Sequence, residues 1–220
     1  MQGVFNVASN LFAIFPAYSA FVFGSLLIFI NSVLEGVISL LYHTCDSFDY
    51  CVIDYKLLRA ADYIFATNFV NLLTVNFIYW RDRPDYAARG VGAPWLQKIW
   101  LFLLFALTLG MTAITGGDIV SQAVILGANV LLIVSYWITY GIRYGSFPRY
   151  HLSSFYFGVL LTLSGLTMFF CDNMAPRLFG YTHSLWHVAV FLGAAYLVRI
   201  KPPRPLYLNA ENKIQQRYEE

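Results

Sequence analysis

The sequence predicts an all-α membrane protein, a bundle of seven transmembrane helices. Of its 220 residues, 59% are hydrophobic and only 12% are charged, whereas an ordinary soluble domain carries about 25% charged residues. The apolar residues form long stretches, and a spanning helix needs roughly 20 of them. The net charge of +2 comes without a basic run interleaved with aromatic residues, so no nucleic-acid partner is expected.

The stretches give the helices in order. Residues 4–43 are too long for one span and are predicted to form two helices, with the break at Pro16 to Ser19. Five more stretches follow, separated by joints rich in glycine and proline: 57–80, 95–115, 119–142, 152–170 and 181–198. Residues 1–200 are therefore expected to form the membrane domain and 201–220 a tail. The first six residues lack a basic segment and a cleavage site, so we expect no removed signal peptide.

The distribution of basic residues predicts the orientation. Loops on the side of the C-terminus carry eleven Lys and Arg residues, against three on the opposite side, Lys56, Arg59 and Arg177. Because cytosolic loops are enriched in positive charge, the tail is expected in the cytosol and the N-terminus outside the cell. The sequence therefore predicts a multi-pass membrane protein with this orientation.

This orientation brings four ionisable residues to the outer-leaflet level: His43, Asp62, His183 and His187. Ionisable groups at membrane depth cost several kcal/mol unless they are partnered, so such residues are candidates for a functional site. The fourth histidine, His151, is expected near the inner face, where it meets lipid headgroups.

The histidine spacing predicts a zinc site. His183 and His187 are four residues apart, which places both on one helix face with Cβ atoms about 5–6 Å apart. His43 would be the third ligand, leaving an open position for water as in catalytic zinc sites. Zinc is redox-inert and lowers the pKa of a bound water to about 7.

Three further polar residues accompany the histidines. Asp62 would accept a proton from that water or orient a ligand histidine. Ser39, one turn deeper than His43, would hydrogen-bond Asp62 or a substrate oxyanion, or else a backbone carbonyl. Glu35 either lines the same cavity or makes an interhelical hydrogen bond as the neutral acid.

The three cysteines, Cys45, Cys51 and Cys171, are expected at the outer, oxidising face. A disulfide between Cys45 and Cys51 would close the short loop that holds Asp46 and Asp49, and such bonds belong to that compartment. The alternative is a set of free interfacial thiols.

These residues together resemble a known signature. Ser39-x₃-His43, the isolated Asp62 and His183-x₃-His187 are similar to the superfamily of seven-helix zinc-dependent lipid hydrolases, which contains alkaline ceramidases and adiponectin receptors. The segments Tyr42-His43-Thr44-Cys45-Asp46, followed by Cys51, and His183-Ser184-Leu185-Trp186-His187 most resemble its transmembrane protein 8 branch, which includes myomaker. The chain departs from vertebrate myomakers in its tail, where residues 206–220 have no cysteine cluster for lipidation.

The resemblance implies a function in membrane fusion at the plasma membrane. It implies zinc bound by His43, His183 and His187, with Ser39 and Asp62 close by, in a protein that promotes myoblast-type cell-cell fusion. The expected partners are membrane lipids, a partner fusogen and a second copy of the chain, packed through small residues at Gly110, Gly127 and Gly158. Two other classes stay open: a zinc-dependent lipid hydrolase acting on esters or amides, and a binding-only receptor.

Overall fold

The computed structural model describes residues 2–78, 94–145, 147–148, 150–174 and 179–200. Most of these residues are helical, and none of them forms a strand. The helices are α1 (Gln2–Ser9), α2 (Ile14–Val22), α3 (Leu26–Phe48), α4 (Tyr55–Ile78), α5 (Pro94–Thr115), α6 (Ile119–Tyr144), α7 (Leu152–Met174) and α8 (Phe179–Val198). A 3₁₀ turn, Asn10–Ala13, joins α1 to α2. The predicted tail and the predicted basic loop residues at 81, 83, 89, 149 and 177 lie outside the described residues.

The all-helical prediction is confirmed, and five segments are long and apolar enough to cross a membrane: Gln2–Val22, Leu26–Phe48, Lys98–Thr115, Ile119–Ile142 and Leu152–Cys171. The length and composition of these helices therefore indicate a multi-pass membrane protein. Helix α4 is less apolar because it carries Arg59, Asp62 and three asparagines. The count of seven spans and the orientation of the termini stay predictions.

The first break in the chain is not where the sequence predicted it. Pro16 lies inside α2, in its first turn, where the missing backbone N–H is tolerated. The chain instead turns after Val22, because Gly24 adopts a left-handed φ of 68°. The backbone N–H groups of Ser25 and Gly24 donate to the carbonyls of Ala20 and Phe21 at 2.8 and 3.2 Å, which is the Schellman pattern of helix termination.

The helices pack in an order that differs from their order in sequence. Helix α4 contacts α3, α5 and α6, and α3 contacts the N-terminal segment, which we define as residues 2–22. That segment also packs on α8, and α8 packs on α7. In the described part of the chain, α3 and α8 have no direct backbone packing. The N-terminal segment therefore lies between these two helices.

The apolar core occupies one end of this arrangement. It contains Ala20, Ile28, Phe69, Phe77, Phe191, Ala194, Leu197, Val198 and Ile200, among others. They come mainly from α2, α4, the start of α3 and the C-terminal half of α8. The end of α3 and the start of α8 are therefore left for the polar residues.

Glycines allow α7 and α8 to approach closely. A Cβ built at Gly158 would lie 2.5 Å from Cδ2 of Leu197, and one at Gly193 would lie 2.6 Å from the Thr162 hydroxyl. Gly158 therefore packs against α8 of the same chain. This contact corrects the prediction that Gly158 forms part of a dimer surface. Gly110 and Gly127 have no neighbouring atom within 4 Å of such a Cβ.

Candidate metal centre

The three histidines predicted as ligands come together. His43 lies near the end of α3, and His183 and His187 lie in the first half of α8. One ring nitrogen from each lies within 4.8 Å of the other two. The Nε2 atoms of His43 and His183 are 3.3 Å apart. Two nitrogens bound to zinc at about 2.0–2.1 Å in tetrahedral geometry would lie about 3.3 Å apart, so this pair fits zinc.

Burial differs among the three histidines. His43 and His187 are buried, with 2% and 5% of their surface exposed, whereas His183 is half-buried. The indole of Trp186 contacts both α8 histidines, with ring centroids 5.1 Å from His183 and 4.6 Å from His187. Trp186 also packs on Phe169 of α7. The centre therefore has an apolar wall on the α7 side.

Sequence reasoning missed Asn10, a hydrogen-bond partner of His187. The Nδ1 atom of His187 lies 2.6 Å from Oδ1 of Asn10. In the turn before, the hydroxyl of Ser184 donates to Oδ1 of Asn6 at 2.7 Å. The signal available in the sequence was the run of polar residues Asn6, Ser9 and Asn10 in an otherwise apolar segment.

A buried polar stripe runs along α3 to the centre. Glu35, Ser39 and His43 follow one another at four-residue intervals and are at most 5% exposed. Buried polar atoms in proteins are nearly always hydrogen-bonded. Within the described residues, six buried side-chain atoms have no hydrogen-bond partner. Four of them lie here: Glu35 Oε2, Ser39 Oγ, His43 Nδ1 and Asp62 Oδ1.

Asp62 lies on α4 beside this stripe. Its carboxyl is close enough to the Ser39 hydroxyl to interact with it, although neither Ser39 Oγ nor Asp62 Oδ1 meets hydrogen-bond geometry. The hydroxyl of Ser39 therefore does not bond a backbone carbonyl. The carboxylate of Asp62 is not part of the three-histidine cluster, so its roles as proton acceptor or orienting group stay predictions.

Glu35 is buried, and its Oε2 atom has no hydrogen-bond partner in the described residues. Its two possible roles, lining a cavity and making an interhelical hydrogen bond, stay predictions. His151 lies outside the histidine cluster, and its Nδ1 is within hydrogen-bond distance of the hydroxyls of Ser154 and Ser153.

The predicted disulfide between Cys45 and Cys51 is confirmed. Cys45 is buried, two residues after His43, so the bridge holds the end of α3 that carries this histidine. The hydroxyl of Tyr55, at the start of α4, donates to Oδ1 of Asp46 at 3.0 Å inside the closed loop. Cys171 is a free, exposed thiol.

Comparison with known protein families identifies the family to which the chain belongs. A family described as Protein of unknown function (DUF3522) matches residues 1–188. The chain belongs to this family. The matched range includes all three histidines and ends one residue after His187. No curated protein matches the chain.

Proposed function

We propose that this chain is a myomaker-like protein of the plasma membrane that promotes cell-cell fusion, with a zinc site formed by His43, His183 and His187 at outer-leaflet depth. The observation that carries the proposal is the convergence of the three histidines within 4.8 Å of one another. These histidines belong to the two segments that carry the resemblance, residues 42–46 and 183–187, so the two segments lie next to each other in the fold. The disulfide between Cys45 and Cys51 in the first segment supports the same reading.

The donor set supports zinc as the bound ion. Three imidazoles suit zinc better than calcium or magnesium, which prefer oxygen ligands. The hydrogen bond between His187 and Asn10 matches the outer-shell partner that metal-binding histidines almost always have. Zinc, when bound, would supply Lewis acidity and a water activated near neutral pH.

Such a protein would promote fusion by acting on membrane lipid. A loop of six residues joins α3 to α4 and one of three joins α5 to α6, so the described loops offer no extended ectodomain. We therefore propose that the protein organises or remodels membrane lipid, together with a partner fusogen. Self-association would use helix surfaces such as those at Gly110 and Gly127, since small residues allow close helix contact.

The second candidate function is zinc-dependent hydrolysis of a lipid ester or amide. It is favoured by the unpartnered oxygens of Ser39 and Asp62 beside the stripe that ends at His43. Asp62 could take a proton from an attacking water, and the hydroxyl of Ser39 could donate a hydrogen bond to a developing oxyanion.

The fusion proposal is tested in cells that do not fuse on their own. Two populations with different fluorescent proteins would express the chain, and cells carrying both colours would be counted. We expect fusion with the wild type and its loss with His43→Ala/His183→Ala/His187→Ala, alongside loss of about one zinc per chain from the purified protein.

His151→Ala is the matched control, because this histidine lies outside the cluster and should leave both readouts intact. Cell-surface labelling must show equal amounts of each variant. Full fusion by the triple variant would overturn a role for zinc in fusion. No fusion by a wild type that reaches the cell surface and carries zinc would overturn the fusion proposal itself.

A further inference from the structure

The N-terminal segment reaches the histidine centre from between α3 and α8. Its 3₁₀ turn packs tightly on α3, since a Cβ built at Gly36 would lie 2.8 Å from Cβ of Ala13. On the other side, Asn6 and Asn10 make hydrogen bonds to Ser184 and His187. Asn10 is 2% exposed, so its amide is shielded from competing water.

The hydrogen bonds of Asn10 fix the direction of its amide. Its Nδ2 donates to the backbone carbonyl of Asn6 at 2.8 Å, so its Oδ1 must be the atom that faces His187. An amide oxygen can only accept, and the proton of the imidazole therefore lies on Nδ1. This leaves the lone pair on Nε2 of His187 for a metal ion.

We propose that Asn10 is the positioning residue of the metal centre, through which docking of the N-terminal segment on α8 sets the affinity for zinc. This inference rests on the proposed zinc site. Outer-shell partners fix the tautomer and ring orientation of a ligand histidine, and their loss weakens metal binding. Because linkage is reciprocal, zinc on His187 also holds the N-terminal segment in place.

The test compares two hydrogen bonds that link the same two elements. Asn10→Leu removes the acceptor for His187 and keeps the side-chain volume. Ser184→Ala removes the neighbouring hydrogen bond to Oδ1 of Asn6, a bond in which no histidine takes part. Zinc affinity of the full-length chain in detergent would be measured by competition with a chromophoric zinc chelator.

We expect Asn10→Leu to weaken zinc binding by about 10–100-fold, the effect usual for outer-shell partners, whereas Ser184→Ala stays near wild type. Asn10→Asp, which keeps an acceptor oxygen, should recover most of the loss. Hydrogen exchange of residues 2–13 should be slower with zinc than with chelator in the wild type, and this difference should shrink in Asn10→Leu.

Two results would overturn the inference: unchanged zinc affinity in Asn10→Leu, or equal losses in Asn10→Leu and Ser184→Ala, which would mark a general packing effect. A wild type that binds no zinc would instead reject the metal centre on which the proposed function stands. The two failures are therefore distinguishable.

Discussion

At the scale of single residues, the main feature is the group of buried polar atoms without partners. Leaving a buried donor or acceptor unsatisfied costs about 1–3 kcal/mol, and Glu35, Ser39, His43 and Asp62 each have such an atom. A fold does not gain stability from this arrangement. The atoms are instead available to a ligand, a water or a substrate, which is the property expected of a site.

Ser39 and Asp62 allow hydrolysis to be separated from metal binding. Asp62→Asn removes the proton acceptor and Ser39→Ala removes the hydroxyl, but neither belongs to the three-histidine cluster. Each variant should therefore keep its zinc while losing turnover of a lipid ester or amide. For Asp62→Asn, general-base catalysis predicts a loss of about 10²–10⁴-fold. Turnover of fluorogenic lipids and metal content would be measured on the same preparations.

Ser32→Ala is the matched control for Ser39→Ala. Ser32 is equally buried on the same helix, and its hydroxyl donates to the backbone carbonyl of Ile28 at 2.7 Å, so its loss should not affect turnover. Full turnover by Asp62→Asn would show that Asp62 is not the base. A zinc-loaded wild type that hydrolyses none of the esters and amides would leave fusion as the better proposal.

At the scale of helices, the sequence predicted most elements because each is a long apolar stretch. The structure confirms helices over the stretches at 119–142 and 152–170. The predicted first break at Pro16 to Ser19 is wrong because proline is tolerated in the first turn of a helix. The αL conformation of Gly24 and its Schellman bonds ended the helix instead.

The candidate site was predictable only in part. His43, His183, His187 and Asp62 were found because charge and imidazole are rare in apolar segments. Asn10 was missed because an asparagine is not ionisable, and its role depends on packing of residue 10 against residue 187. No local spacing in the sequence predicts that contact.

The turn between α5 and α6 gives a prediction about stability. Gly117 has a φ of 79°, and a Cβ there would lie 2.9 Å from the ring of Tyr63. Gly116 has a φ of 67° and nothing within 4 Å of such a Cβ. Gly116→Ala should therefore lower stability by roughly 1–2 kcal/mol, the cost of a left-handed residue, and Gly117→Ala should lower it further.

Thermal melts in detergent would measure both variants, and the difference between them isolates the contact with Tyr63. Equal melting temperatures for Gly116→Ala and Gly117→Ala would show that α4 does not pack against this turn. The hydroxyl of Tyr63 also lies 2.8 Å from that of Ser121, so displacing the ring would disturb the start of α6 as well.

At the scale of the whole molecule, the two ends of the bundle are held together differently. The apolar core packs α8 against α2, α3 and α4 at one end. At the other end, within the described residues, α3 and α8 meet through the N-terminal segment and the histidine rings. The ring centroid of His43 lies 4.9 Å from that of His183 and 5.0 Å from that of His187. A metal ion there would join the ends of two helices whose backbones do not pack directly on each other.

Removal of zinc should therefore destabilise the whole fold. At a free zinc concentration 100-fold above Kd, binding stabilises the native state by about 2.7 kcal/mol, which corresponds to about 5–10 °C in Tm for a chain of this size. We expect a chelator to lower the melting temperature of the wild type and of His151→Ala by this amount. His187→Ala should melt at the lower temperature with or without chelator. If the wild type keeps its melting temperature after its zinc is removed, the ion does not join α3 to α8, and the N-terminal segment and the apolar core hold these helices without it.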